Sequence, residues 1–287
     1  MNLKVSVWSD LFWDKQPEEQ VLLFKSKGFD VMELSVETGT MLLSRGNVAV
    51  TGKAFKQYMD DNGFSAPQGH LKLECDICKD EPQPLIDELK QWIELYATMG
   101  VKNMVFHSGG FNHSLTKEEL LTRRLFAFNQ LLPIIEGTDN YLCLENLVTI
   151  IPHSEELVET IEATNSKNVG ICFDCGHLNI GNQWSYQETQ QHFFDVCGKY
   201  IRALHVADND GRTDQHLIPV AIDNCDMRKN YTTKVDIYEL VRLLKSINYQ
   251  GLFNFEVPGE AHCPLELRLK KLEWMKMLGE YFLSSVN

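Results

Sequence analysis

No apolar run in this chain approaches the ~20 residues a helix needs to cross a bilayer. Its first segment, Met1 to Trp8, lacks the apolar core and small-residue cleavage site of a secretory signal. A cytoplasmic protein without membrane attachment is therefore expected. Basic charge is scarce as well: 27 Lys and Arg stand against 40 Asp and Glu, a net charge of −13. A nucleic-acid partner needs clustered Lys and Arg to meet phosphates, so that class is disfavoured. Linkers rich in Gly, Pro or Ser are missing, as are low-complexity tracts, which argues for one domain over residues 1–287. Zinc-ribbon cysteine spacing is missing too. The two C-x-x-C pairs, Cys75/Cys78 and Cys172/Cys175, lie much further apart than the ~15–20 residues such sites use. The eight cysteines read as free thiols in a reducing cytosol.

What is present is an alternation of short apolar runs with helix-length segments. Strands are expected at Leu3 to Trp8, Val31 to Ser35, Ser65 to Leu73, Asn103 to His107, Tyr141 to Glu145, Val169 to Asp174, Ile201 to Val206 and Leu252 to Glu256. Helices are expected over Gln16 to Gly28, Met41 to Gly63, Pro84 to Met99, Thr116 to Ile135, Ser154 to Ala163, Gln187 to Cys197, Ile237 to Ile247 and Pro264 to Leu278. Eight such units favour a closed α/β barrel, the (β/α)8 TIM barrel, over an open sheet. An extended loop, about 207–234, follows the seventh strand. Strand alternation points Phe253 and Phe255 to the helices and turns Asn254 and Glu256 inward. Cys143 and Cys172, two residues before Glu145 and Asp174, read as small barrel-filling side chains.

Four strands end in one chemistry-bearing residue each: Glu145, Asp174, His205 and Glu256. Strand C-termini of a parallel barrel converge on one face, where active sites are built. Two Glu, one Asp and one His there make a set that suits a divalent cation. His70, His107, His177, Asp214 and His216 fall at the same end and are candidates for further metal or substrate contacts. The competing reading is a satisfied ion-pair layer inside the barrel.

These motifs, in this order over strands three to eight, resemble the xylose isomerase-like barrel superfamily of sugar isomerases, epimerases and endonuclease IV-type nucleases. The resemblance covers most of the chain. Ketose 3-epimerases of that group hold one divalent metal, and their ligands correspond to Glu145 in Leu-Glu-Asn, Asp174 in Phe-Asp-x-x-His, His205 in Leu-His-Val-x-Asp and Glu256 in Phe-Glu. The nuclease branch holds three zinc ions through nine ligands, and His70, His107, His177, Asp214 and His216 complete that set. The resemblance thus implies a divalent-metal cofactor, Mn, Co, Mg or Zn, with one ion expected and up to three accommodated.

In the epimerase-type reading, Glu145 and Glu256 are both ligands and catalysts. They exchange a proton next to a sugar or polyol carbonyl through an enediolate. His177, Arg212 and Glu33 would hold substrate oxygens, and Trp8, Phe12 and Trp13 would wall the sugar. This is the expected function, a sugar phosphate isomerase/epimerase-like enzyme of carbohydrate metabolism. Its partner is a small sugar or polyol, and a homo-oligomer is allowed for. The alternatives are an endonuclease IV-like multinuclear zinc phosphodiesterase and a metal-dependent lyase or dehydratase. One departure stands out: many members follow the Asp-x-His motif with Pro-Gly-x-Gly, where this chain has Leu217-Ile218-Pro219-Val220-Ala221.

Overall fold

Runs of three to six residues, most of them apolar, form the strands, and their side chains alternate between two environments. The computed structural model describes residues 3–110, 114–147, 153–181, 188–219, 235–260 and 262–285. The strands are β1 (Val5–Val7), β2 (Val31–Leu34), β3 (Ser65–His70), β4 (Asn103–Phe106), β5 (Tyr141–Glu145), β6 (Val169–Asp174), β7 (Ile201–His205) and β8 (Phe253–Phe255). All pairings are parallel, β2 to β7 in sequence order and β1 beside β8.

Two bridges join these sheets into a ring. Trp8 pairs with Glu33, linking β1 to β2, and Val206 pairs with Phe255, linking β7 to β8. At the second junction Val206 N–H donates to Asn254 O at 2.8 Å, and Glu256 N–H donates to Val206 O at 3.2 Å. The fold is the TIM barrel expected from the alternation.

Period-two alternation then stacks the barrel interior in layers. Val105, Cys143, Cys172 and Ala203 form a fully buried cluster apart from the large apolar core. Two residues further along each strand, on the same face and one layer higher, come His107, Glu145, Asp174 and His205. The outward faces pack on helices. In chain order the described helices are α1 (Pro17–Ser26), α2 (Val36–Leu43), α3 (Val48–Asp61), α4 (Gln83–Met99), α5 (Lys117–Leu131), α6 (Ser154–Ala163), α7 (Cys175–Gly181), α8 (Gln190–Cys197), α9 (Ile237–Ser246) and α10 (Leu265–Ser285). In α9, Ile237, Leu240, Val241 and Leu244 recur at helical spacing and are buried.

Three differences from expectation have local causes. The helical region expected over 41–63 is two helices, α2 (Val36–Leu43) and α3 (Val48–Asp61), interrupted where Gly46 takes a φ of +106°. The Ser35 side chain accepts from Thr38 N–H and starts α2 five residues earlier than expected. A short buried helix, α7 (Cys175–Gly181), begins directly after β6, where only a loop was expected. Residues 220–234 of the extended loop and Gln187 lie outside the described residues.

Helix α4 (Gln83–Met99) supports the site from outside the barrel: Tyr96 O–H donates to His70 O at 2.9 Å. Gly69 makes room for that ring, since a Cβ there would sit 2.7 Å from Tyr96 Cε2 and 3.3 Å from Leu34 Cβ. Gly69→Ala is predicted to cost about 1–3 kcal/mol through overpacking. Thermal denaturation should show a midpoint lower by several degrees. An unchanged midpoint would mean that Tyr96 swings aside freely.

Candidate metal centre at the barrel mouth

Among the described residues, the strand ends, helix α7 and the loop after β7 bring nine donor residues together in three adjoining groups, and within each group the candidate ligand atoms lie within 4.8 Å of one another. The first is His70, His107 and Glu145; the central one is Glu145, Asp174, His205 and Glu256; the third is His177, Asp214 and His216. All nine were named from the sequence, and Glu145 belongs to two groups. A fourth group, Glu155, Glu188 and His192, lies on and just before the outer helices, with two members exposed.

Glu145 faces histidines with both oxygens. Its Oε2 lies 3.3 Å from His70 Nε2 and 3.1 Å from His107 Nε2. Its Oε1 lies 3.1 Å from His205 Nδ1 and 3.2 Å from His177 Nδ1. His205 Nδ1 also faces Glu256 Oε2 at 3.2 Å and Asp174 Oδ2 at 3.8 Å. In the third group, Asp214 Oδ2 lies 3.2 Å from His177 Nε2 and 3.1 Å from His216 Nε2.

The opposite nitrogens of three histidines are spent on protein acceptors. His70 Nδ1 donates to Leu71 O at 2.7 Å, His205 Nε2 to Glu33 Oε1 at 3.0 Å and His216 Nδ1 to Glu256 O at 3.0 Å. A backbone carbonyl can only accept, so His70 and His216 carry their proton on Nδ1. In a neutral ring the other nitrogen then presents a lone pair to a carboxylate. Two acceptors about 3 Å apart require a proton or a cation between them, and anchoring of the far nitrogen is what metal-binding histidines show. Asp174 Oδ2, His177 Nδ1 and Glu256 Oε2 are buried, and their close approaches to His205 and Glu145 lack hydrogen-bond geometry. The donor set therefore fits divalent cations at each of the three groups.

Metal-free, the same groups hold protons instead. Burial alone would neutralise His216, but Glu256 and hydrogen-bonded Asp214 outweigh it and lift its pKa to about 10. Burial would raise Glu256, yet His205 and His216 bring it down to about 2. Burial dominates at Asp174, where Glu256 and Glu145 add to it against His177, and the carboxyl rises to about 7.

The remaining expected site residues divide. Glu33 is fully buried, its oxygens taken by His205 and by Asn254 Nδ2, so it cannot reach a substrate hydroxyl. That assignment is corrected. Phe12 is also fully buried, packed edge-on against Phe24 and beneath Arg268, and walls nothing. Trp8 is buried at the end of β1, whereas Trp13 is 39% exposed and Arg212 is exposed. Asn146 was not singled out from the sequence. It clamps the β6 end, donating to Asp174 O at 2.9 Å and accepting from Asp174 N–H at 2.7 Å. Its position directly after Glu145 was the available signal. His177 gains its place from α7, whose first turn lets its N–H donate to Asp174 Oδ1 at 2.6 Å.

The family model described as xylose isomerase-like TIM barrel matches residues 21–278, and the chain belongs to that family. An uncharacterized protein of Methanocaldococcus jannaschii is 24% identical over 265 residues, which is 89% of this chain and 84% of that protein. A protein of Mesomycoplasma hyopneumoniae named probable endonuclease 4 is 29% identical over 136 residues, 43% of this chain and 46% of its own length. Among solved structures, a D-psicose 3-epimerase in the presence of D-fructose has a TM-score of 0.76 at 12% identity, covering 98% of this chain and 99% of the other. The IOLI protein with a zinc atom bound has a TM-score of 0.76 at 16% identity, covering 99% of each chain. At such identities the likeness concerns the fold.

The proton-holding state predicts a pH profile for chelator-stripped protein. His216's contribution to stability is complete below its unfolded pKa of 6.5 and lost as pH rises through about 10. Asp174's is complete below 3.8 and lost through about 7, in the same direction. Glu256's is complete above 4.5 and lost as pH falls toward about 2. The stripped protein should be most stable in weak acid and lose thermal midpoint steadily up to pH 10. Metal-loaded protein should lose much less. A stripped protein with a flat profile over this range would contradict the arrangement.

Proposed function

We propose that the barrel mouth is a trinuclear divalent-metal centre that hydrolyses a phosphoester of a small sugar or polyol. The observation that carries this reading is Glu145, whose two oxygens face different histidine pairs, as a carboxylate shared between two cation subsites would. His70, His107 and Glu145 would hold one cation. Glu145, Asp174, His205 and Glu256 would hold the second, and His177, Asp214 and His216 the third. Cations bound there supply positive charge to phosphoryl oxygens and bring a water's pKa toward neutrality.

The chain's own residues set the terms of that chemistry. The anchors at Leu71 O, Glu33 and Glu256 O keep three imidazoles turned toward the mouth. The nine donors include four carboxylates, so three dications exceed them by two charges and one dication falls short by two. An anionic substrate is drawn only to the fully loaded mouth. The chain's net charge of −13 favours a compact phosphoester over a duplex. Similarity to the endonuclease 4 protein over nearly half of this chain supports phosphoester chemistry.

A second reading, a sugar or polyol isomerase or epimerase, is favoured by Glu145 and Glu256 lying on the same nitrogen of His205, at 3.1 and 3.2 Å. With only the central cation bound, these two carboxylates would remove and return a proton beside a carbonyl, through an enediolate. His177 and Arg212 would hold hydroxyls and Trp13 would wall the sugar. Against this, Glu145 Oε2 already faces His70 and His107, and with no cation between them a protonated imidazole there would make the carboxylate a poorer base. A lyase or dehydratase would begin with the same proton removal.

The test pairs elemental analysis with two assays. Three equivalents of zinc or manganese per chain, with phosphate released from sugar phosphates, are expected. His216→Ala should lose one equivalent and most of the hydrolysis. A single equivalent, with deuterium entering ketoses from D2O, would install the second reading, in which Glu256→Gln lowers turnover by roughly 10²–10⁴-fold.

A further inference from the structure

The three anchored histidines are not backed alike. His70 and His216 donate to backbone carbonyls, Leu71 O and Glu256 O; His216 Nδ1 also lies 3.4 Å from Glu256 Oε2, but that carboxylate belongs to the central donor group and would be taken by its cation. His205 donates to a carboxylate, Glu33 Oε1, at 3.0 Å. Glu33 lies on β2, fully buried, and its other oxygen accepts from Asn254 Nδ2 on β8. Two interior strands therefore hold this carboxylate behind the ring, where it touches neither solvent nor anything entering the mouth. An anion hydrogen-bonded to one imidazole nitrogen draws its proton closer and enriches the lone pair on the other. A carbonyl does this more weakly. His205 is thus the best electron donor of the three anchored rings, and it sits in the group with the most carboxylates, Glu145, Asp174 and Glu256.

We propose that Glu33 is a positioning residue that makes the central subsite the tightest of the three and the first to fill. The inference rests on the three-subsite reading above. It adds an order of loading: scarce metal gives a mouth with one central cation, and abundant metal completes the set. Simple charge compensation of a protonated His205 is the competing role for Glu33, and it would affect fold stability alone.

Chelator-stripped protein titrated with Co2+ separates these roles, followed by visible absorption and by calorimetry. Wild type should take up one equivalent tightly and two more weakly. Glu33→Gln keeps an acceptor for His205, and Asn254, whose Oδ1 has no partner here, can turn to meet the new amide. This variant should fold, with the first dissociation constant raised by about 10–100-fold and the two weaker steps unchanged. An unaltered first step in Glu33→Gln, with only the stripped protein's thermal midpoint lowered, would overturn the proposal. So would a wild type in which His216→Ala, rather than Glu33→Gln, removes the tight step. Should wild type bind one equivalent in all, the trinuclear reading fails. The effect of Glu33→Gln on that single step still reports on Glu33 independently.

Discussion

The mouth of this barrel is governed by one constraint: carboxylates buried against each other must be neutralised. Glu33, Glu145, Asp174 and Glu256 are each at most 4% exposed, and all four face His205. Burying several such charges without compensation costs more than a fold of ordinary stability can supply. Histidines meet part of the demand, but those at His70 and His216 have one nitrogen fixed as a donor to a carbonyl. What remains is a set of lone pairs and carboxylate oxygens facing each other. Cations at the three groups would resolve that conflict, while protons do so only over part of the pH scale.

The scaffold creates this conflict through regular means. Strand alternation lifts His107, Glu145, Asp174 and His205 one layer above a plug of small side chains, Val105, Cys143, Cys172 and Ala203. Bridges at Trp8–Glu33 and Val206–Phe255 close the ring, so strands distant in sequence bring Glu33 and Asn254 together. His216 adopts a left-handed φ of 46°, an uncommon conformation for a side-chain-bearing residue. Its bond to Glu256 O holds the ring in place there, tying the loop after β7 to the end of β8.

Much of this was legible in the sequence for physical reasons. A polar residue ending an apolar run is conspicuous, and Glu145, Asp174, His205 and Glu256 were found that way; His70, His107, His177, Asp214 and His216 were named for falling at the same end of the barrel and for the family resemblance. The inward phase of Cys143 and Cys172 followed from the two-residue period. The errors arose where partners decide. Glu33 reads as an inward acid on a strand, but nothing local says that His205 and Asn254, more than 170 residues away, will cover it. Phe12 sits beside the exposed Trp13, yet the turn after β1 sends one ring into the core and leaves the other outside. The anchors Leu71 O and Glu256 O belong to the backbone and leave no residue-type signal. Helix α7 is only seven residues long, and its cap, Asp174, reads in the sequence as the acid that ends β6, so the helix resembles a loop.

The most direct test of the account is an anomalous difference map from crystals grown with excess zinc and measured at the zinc absorption edge. Three peaks should appear at the mouth. One should lie between His70, His107 and Glu145, one between Glu145, Asp174, His205 and Glu256, and one between His177, Asp214 and His216. A map with only the central peak, and His70 and His216 ordered around water instead, would contradict the trinuclear centre.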